Sequence, residues 1–247
     1  MQYGDAVEEL TNFAELHQIP VAETIAGRAN LLWDHSLNAG PIGVTGSDSA
    51  NAMAAEADVV ICVGTRLQDF TTGSWSCFSK GAQLVSINPG RFDANKHMAT
   101  AVIGGAKSSL PALSDLLGDF ASGRQWIEKL TQEQAHWGAI RNKNTDASAG
   151  PNRYSQAIGV VNKLCNAEDR VVAAAGGLPA EITANWRTLG IGTVDVEFGF
   201  SCMGYEISGG LGARIAQLQN RQDADTIVFV GDLSLIHISE PTRPLYI

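Results

Sequence analysis

Three glycine-bearing stretches in the second half of the chain carry residue types that could bind a phosphorylated ligand. The first contains Gly176, Gly177 and Leu178, directly after an apolar run and directly before a helical pattern that starts at Pro179. Glycines let the backbone approach a ligand, and the start of a helix offers unpaired N–H groups to an anion, typically a phosphate. An ordinary tight strand-to-helix turn would have the same composition, so both interpretations stay open.

The second stretch, residues 197–212, places five glycines within fourteen residues at the front of a predicted helix. Such a segment lets a flat, extended cofactor pass close to the main chain. A dinucleotide fingerprint is excluded, because its third glycine is missing and the glycines lie inside the helix. Ser201 and Cys202 form no nucleophile elbow, because Met203 replaces its second glycine. Cys202 is predicted to be a buried packing residue, as free cysteines usually are.

The third stretch is Gly231 and Asp232, at the carboxyl end of the apolar run 226–230. A carboxylate there can hold Mg²⁺, because magnesium prefers one or two protein carboxylates together with phosphate oxygens and water. Ligands of α/β sheets also bind at the carboxyl ends of strands. A helix cap would use the same residue type, so that alternative stays open. The histidines are scattered singly and predict no metal cluster.

The hydrophobic pattern predicts two α/β units that would position these stretches. The first unit has predicted helices at 5–17, 49–57 and 109–117 and predicted strands at 19–22, 58–63, 83–87 and 101–103. The second has predicted helices at 154–165, 179–187 and up to about 219, with strands at 170–174, 193–196 and 226–230. Continuous apolar strands separated by helices are typical of parallel sheets covered on both faces. We therefore predict an α/β protein with two Rossmann-like parallel-sheet units.

A weaker pattern separates the two units. Residues 118–150 are polar towards their end and finish in Ala-Gly-Pro, so we predict a linker there, with a possible helix at 126–137, between domains 1–117 and 151–232. Residues 233–247 lack the helical continuation of an α/β unit and resemble the translation of a transposase-derived sequencing adapter. We therefore expect the natural protein to have been cut at Asp232, the alternative being an unusual natural tail.

Composition limits the class of protein. The chain has 247 residues, 45% hydrophobic and 17% charged, which excludes disordered, collagen-like and coiled-coil proteins. Its 17 Lys and Arg against 26 Asp and Glu leave a formal charge of -9, which disfavours nucleic acid as a partner. The four cysteines lie far apart and predict a reducing compartment. With no readable secretory signal and no apolar run near about 18 residues, we expect a soluble cytoplasmic protein without a membrane partner.

Taken together, these stretches resemble the thiamine diphosphate enzymes of the acetolactate synthase and pyruvate decarboxylase superfamily. Residues 1–117 resemble the central domain of that superfamily, most clearly through Gly64-Thr65-Arg66, Asp69 and Thr72-Gly73. Residues 199–212 resemble its glycine-rich cofactor segment, and Gly231-Asp232 the first two residues of its Gly-Asp-Gly metal motif. Residues 65–75, 174–179 and 197–207 are most similar to the superfamily's trihydroxycyclohexane-1,2-dione hydrolases of inositol catabolism.

The resemblance implies a homodimeric or homotetrameric enzyme with pyrimidine-binding, central and diphosphate-binding domains, of which this chain holds the second and the beginning of the third. The residues that it implies for thiamine diphosphate are Gly176, Gly177 and Leu178 beside the diphosphate, Ser201, Cys202 and Met203 beside the aminopyrimidine, with Met203 bending the coenzyme, and Gly231 with the Mg²⁺ ligand Asp232. The activating glutamate belongs to the amino-terminal domain of the family. We therefore expect no catalytic residue in this chain and no activity from it alone.

Two departures and two alternatives qualify this expectation. Leu233 stands where the metal motif has its last glycine, and the downstream asparagine of the magnesium site is missing.

The implied reaction cleaves the bond between the two carbonyl carbons of the cyclic dione and opens the ring to 5-deoxy-glucuronate. The alternatives are an acetolactate synthase-like 2-oxo acid lyase and a non-catalytic nucleotide-binding module built from residues 1–117.

Overall fold

The structure is a computed structural model that describes residues 1–148, 150, 152–220 and 222–235. Contacts divide the chain into two compact units, Met1–Ile140 and Arg141–Ile247. Most of the predicted adapter-derived tail, residues 236–247, lies outside the described residues, as does Pro151 at the start of the predicted second domain. In the described part of the chain, no helix combines the length and the apolar character needed to cross a bilayer.

The first unit alternates helices with short parallel strands. Its elements are α1 (Val7–His17), β1 (Val21–Glu23), β2 (Asn38–Pro41), α2 (Asp48–Glu56), β3 (Val59–Val63), α3 (Asp69–Thr72), β4 (Gln83–Ile87), α4 (Arg91–Ala94), β5 (Thr100–Val102), α5 (Ala106–Leu117) and most of α6 (Arg124–Asn144). Strands β1 and β2 form a parallel pair, and β3, β4 and β5 form a parallel sheet in that order. In this sheet Val59 lies opposite Gln83, and Ile87 opposite Val102.

Local chemistry explains where helices α1 and α2 begin and end. Leu10 and Phe13 lie on the buried face of α1, as its amphipathic pattern predicts. Helix α1 ends at Gln18, which takes a left-handed conformation with φ 51°. Helix α2 begins after Ser47, whose hydroxyl accepts the N–H of Ala50 at 3.1 Å and so caps the helix.

The sheet formed by β3, β4 and β5 is covered on both faces. One hydrophobic cluster joins α1, β4 and α5 through Leu10, Phe13, Ile87 and Leu110, with Ile61 and Val63 of β3 packed against it. A second cluster contains Cys62 of β3 together with Met53 of α2 and Leu130 of α6. Successive residues of a strand point to opposite faces, so Ile61 and Cys62 serve different clusters. This double burial explains why β3 is a continuous apolar run and why β4 is apolar at Leu84, Val85 and Ile87.

The second unit has its own parallel sheet. Its elements are α7 (Tyr154–Leu164), β6 (Arg170–Ala173), α8 (Gly177–Asn185), β7 (Val194–Val196), α9 (Tyr205–Gln219) and β8 (Thr226–Val228). Strand β6 is central, with β7 on one side and β8 on the other, and all three are parallel. Val171 lies opposite both Val194 and Ile227, and it is fully buried like Val172 and Ala173 after it.

These elements confirm the prediction of an α/β fold with parallel sheets, with several local differences. Strand β2 and the short helices α3 and α4 fall where the sequence predicts no element. Helix α6 has 21 residues and occupies much of the segment 118–150 that the sequence predicts as a linker. Its pattern is weak because Leu130 is its one fully buried side chain among those described. The sequence predicts that the helix starts at Pro179, but α8 begins at Gly177. Pro179 is its third residue, a position in the first turn where proline is tolerated. The boundary between the two predicted domains stays a prediction.

Candidate functional site

The three predicted binding stretches follow three neighbouring strands of one sheet. Gly176 lies three residues beyond the end of β6, residues 197–203 follow β7, and Gly231 and Asp232 come shortly after β8. Because β7, β6 and β8 are parallel, the three stretches emerge at the same, carboxyl edge of the sheet. Ligands of open α/β sheets bind at this edge.

The order of the strands in this sheet reverses direction at β6. Strand β7 comes next along the chain and pairs on one side of β6, whereas β8 pairs on the other side. Backbone pairing continues past the strand ends: Glu197 N–H donates to Ala173 O at 3.1 Å, and Phe229 N–H donates to Val172 O at 3.0 Å. Such a reversal opens a crevice between the loops that follow the two strands, here β6 and β8.

The turn after β6 leads into helix α8, whose first turn lies at the carboxyl edge of the sheet beside this crevice. Gly176 is the N-cap of α8, with φ 103° and ψ -162°, a conformation that residues with a Cβ rarely adopt. A Cβ added at Gly176 would meet no atom within 4 Å, so the space beside it is open. The N–H groups of Gly177 and Leu178 belong to the first turn of α8, where helix geometry provides no acceptor. This turn can therefore hold an anion such as a diphosphate.

The segment after β7 is exposed where the sequence predicts contact with the coenzyme. Ser201, Cys202 and Met203 are all exposed. The prediction that Cys202 is a buried packing residue is therefore wrong. The segment lies beyond the end of the sheet, so no core surrounds the thiol. Ser201 has φ 51°, a left-handed conformation that is uncommon for a residue other than glycine.

Two carboxylates that the sequence analysis did not single out hold the main chain of this segment. One carboxylate oxygen of Glu197 accepts the N–H of Phe200 at 3.0 Å and the other accepts the N–H of Cys202 at 2.8 Å. On the other side, the buried Glu206 accepts the N–H of Gly204 at 3.1 Å. The sequence feature that could have pointed to Glu197 is its position directly after the predicted strand and ahead of the glycine-rich stretch.

The sequence predicts that the glycines inside α9 line a cofactor. In the structure, some of them instead allow close packing. Gly210 is buried against β8, and a Cβ added there would lie 2.4 Å from Val228 Cγ2. A Cβ added at Gly209 would lie 2.9 Å from the ring of Tyr205. Around Gly212, by contrast, an added Cβ would meet no atom within 4 Å. Gly210 therefore permits the close approach of α9 to the sheet.

Asp232 is exposed, and a Cβ added at the neighbouring Gly231 would meet nothing within 4 Å. Within the described ranges, no group of three or more His, Cys, Asp or Glu side chains is placed to hold a metal ion. A divalent cation at Asp232 would thus share one carboxylate with phosphate oxygens and water, the coordination typical of Mg²⁺. The open space, the exposed acid and the helix start together fit a metal-bound diphosphate.

Curated relatives match almost the whole chain. The 3D-(3,5/4)-trihydroxycyclohexane-1,2-dione hydrolase of Geobacillus thermodenitrificans is 34% identical over 260 residues, which cover 96% of this chain and 40% of that protein. The 3D-(3,5/4)-trihydroxycyclohexane-1,2-dione hydrolase 1 of Bacillus cereus is 37% identical over 243 residues, covering 88% of this chain and 38% of that protein. The hydrolase of Bacillus thuringiensis is 36% identical with the same coverage.

A family model of the central domain of thiamine pyrophosphate (thiamine diphosphate) enzymes matches residues 1–113. This match confirms the predicted resemblance to thiamine pyrophosphate enzymes over residues 1–113. The matched residues include the β3-β4-β5 sheet and most of α5. The chain spans about 40% of the length of the relatives that it matches.

Proposed function

We propose that this chain is part of a hydrolase that uses thiamine diphosphate and Mg²⁺ to open the ring of trihydroxycyclohexane-1,2-dione in inositol catabolism. The observation that carries the proposal is the emergence of three binding stretches at one edge of the β7-β6-β8 sheet. The names of the relatives support the choice of a dione hydrolase over an acetolactate synthase-like lyase.

Each stretch has a separate task in this proposal. Gly176, Gly177 and Leu178 bind the diphosphate at the start of α8, and Asp232 beside Gly231 holds the Mg²⁺ that neutralises it. Ser201, Cys202 and Met203 line the aminopyrimidine, where the apolar Met203 side chain supports the bent shape of the coenzyme. When bound, the coenzyme supplies a nucleophilic carbon and an electron sink, and the protein supplies positioning and electrostatics.

The organisation of the whole enzyme belongs to the same proposal. Residues 1–117 form its central domain, and residues 151–232 belong to its diphosphate-binding domain. We expect the complete protein to be a homodimer or homotetramer and this chain to be inactive alone. Its four cysteines are free of disulfides, which supports a reducing, cytoplasmic location.

A chimera tests the proposal. Residues 1–232 replace the matched segment of the Geobacillus thermodenitrificans relative, and ring opening is assayed with and without thiamine diphosphate and Mg²⁺. We expect activity that requires both. Ring opening that persists after complete removal of the coenzyme would refute the thiamine diphosphate mechanism.

A pair of aspartate variants tests the metal site in the same chimera. Asp232→Ala removes the acid at the carboxyl edge, and we expect the affinity for Mg²⁺ and thiamine diphosphate to fall by at least about tenfold. Asp223→Ala removes an exposed acid near the opposite, amino end of β8. The control should keep the original affinity, since its carboxylate lies at the other edge of the sheet. Equal affinities for both variants would argue against Asp232 as a ligand.

A further inference from the structure

Glu197 is placed to connect the sheet with the segment that follows it. It comes directly after β7, and its own N–H donates to Ala173 O of β6 at 3.1 Å. Its backbone is therefore an extension of the sheet, while its side chain turns to the following residues and accepts the N–H groups of Phe200 and Cys202. Glu197 thus fixes an exposed segment to a rigid strand.

Little packing holds this segment in the described structure. The Phe200 side chain is 88% exposed, and Ser201, between the two bonded amides, has the left-handed φ of 51°. A left-handed serine costs conformational energy that its surroundings must supply. The two hydrogen bonds to the carboxylate are charge-assisted, and such bonds are roughly twice as strong as neutral ones.

The electrostatics of Glu197 agree with this role. Partial burial raises the pKa of its carboxyl, but hydrogen bonds from the N–H groups of Cys202, Phe200 and Gly199 lower it, and the pKa lies below its ordinary value. The carboxylate is therefore charged at neutral pH and stays available as an acceptor.

We propose that Glu197 is a positioning residue whose carboxylate fixes residues 199–203 in the conformation that receives the pyrimidine ring of the coenzyme. This inference rests on the function proposed above. Because the amides of Phe200 and Cys202 donate to Glu197, the segment presents the exposed side chains of Ser201 and Met203 to the ligand instead of those amides. Preorganisation of this kind increases affinity, because less conformational freedom is lost on binding.

The first arm of the test needs no coenzyme. Hydrogen–deuterium exchange of the Phe200 and Cys202 amides is measured by NMR in the 247-residue chain and in its Glu197→Ala variant. We expect exchange of both amides to become at least about tenfold faster in the variant, because their acceptor is lost. Unchanged exchange would overturn the proposal, whether or not the chain binds coenzyme.

The matched control is Asp195→Asn. Asp195 lies on β7 two residues before Glu197 and accepts a hydrogen bond from Arg170 Nη1 at 3.2 Å. The control removes a charge of the same sign two residues away, from β7 itself, without changing a residue of the segment. Exchange at Phe200 and Cys202 should stay as in the wild type. Equal acceleration in both variants would show a general loosening of the strand and would contradict a specific role of Glu197.

The second arm uses the chimera and separates binding from turnover. We expect Glu197→Ala to raise the Kd for thiamine diphosphate, at saturating Mg²⁺, by about 10- to 100-fold. At saturating coenzyme its kcat should remain within about twofold of wild type, because Glu197 acts through the segment. Glu197→Gln keeps one acceptor oxygen and should give an intermediate Kd.

The outcomes distinguish the two proposals. If the parent chimera depends on the coenzyme and Glu197→Ala binds it as tightly, the positioning role fails while the proposed function stands. If the parent chimera turns over without coenzyme, the proposed function fails, and with it the coenzyme-positioning role of Glu197. Faster amide exchange together with a weaker Kd and a conserved kcat would support both.

Discussion

A methyl group at Gly210 would lie 2.4 Å from Val228 Cγ2, so α9 approaches β8 to a distance that only glycine permits. We expect Gly210→Ala to lower the free energy of unfolding of the second unit by about 1–3 kcal/mol, because overpacking outweighs the better helix propensity of alanine. Urea unfolding followed by the fluorescence of Trp186, the sole tryptophan after residue 140, measures the change.

Gly212→Ala is the control for this prediction. It lies on the same helix with no atom within 4 Å of an added Cβ. Here the propensity gain acts alone, and we expect stabilisation by up to about 1 kcal/mol. If both variants stabilised the unit equally, close packing of Gly210 on β8 would be disproved.

The buried His17 joins the end of α1 to the chain after α5. Its Nδ1 donates to Phe120 O at 2.7 Å, because a carbonyl can only accept, and its Nε2 lies 2.6 Å from Ser114 Oγ. We expect His17→Ala to lower the free energy of unfolding of the first unit by about 2–4 kcal/mol, through a cavity and two unsatisfied polar groups. Urea unfolding with tryptophan fluorescence measures it.

The exposed His136 on α6 provides the comparison. Its replacement by alanine should change the free energy of unfolding by no more than about 0.5 kcal/mol, as is usual for surface positions. A similar small loss for His17→Ala would mean that the ring and its two hydrogen bonds contribute little.

Cys202 is exposed, whereas burial raises the pKa of Cys62 to about 11 and, together with Asp169 and Asp225, that of Cys165 to about 11. Thiolates are the reactive form, so a disulfide reagent at pH 8 should modify Cys202 at least about tenfold faster than either. Mass spectrometry of the early product identifies the site. Cys202→Ser should abolish the fast phase, and Cys165→Ser should leave it intact. A fast phase that survives Cys202→Ser would contradict the exposure of this thiol.

The low pKa of Glu197 gives a pH prediction. A carboxyl with a lower pKa in the folded state stabilises the fold above its unfolded pKa, and this contribution is lost as the pH falls through the folded value. The protection of the Cys202 amide should thus be constant from neutral pH down to the ordinary glutamate pKa of about 4.3 and decline below it. Exchange rates corrected for their intrinsic pH dependence measure this protection. A loss of this protection that is already complete at about pH 4.3 would contradict the direction of the shift.

The sequence predicted strands best where both faces of the sheet are buried. The predicted strand 83–87 coincides with β4, because its side chains after the exposed Gln83 pack against the two layers that cover the sheet. The prediction for β1 ended too early, at residue 22. The strand includes the buried Glu23, whose charge is paired with Arg28, and a pattern of apolar residues cannot anticipate such a pair. The strand also starts late, because the N–H of Ile19 donates to Ala14 O at the end of α1.

For the candidate site, composition located the stretches but not their arrangement. Glycines and an acid at the ends of apolar runs pointed to Gly176 and Asp232, because these residue types carry the chemistry themselves. The order β7-β6-β8 depends on pairing between distant segments, which hydrophobic periodicity does not specify. For the same reason the exposure of Cys202 and the contacts of Glu197 emerged only from the three-dimensional structure.

The position of β8 has a practical consequence. Within residues 222–235, this three-residue strand pairs with β6 and with no strand on its outer side. An open strand edge offers N–H and C=O groups to any other extended chain. Dilute samples of the 247-residue polypeptide are therefore the appropriate ones for the binding and exchange measurements.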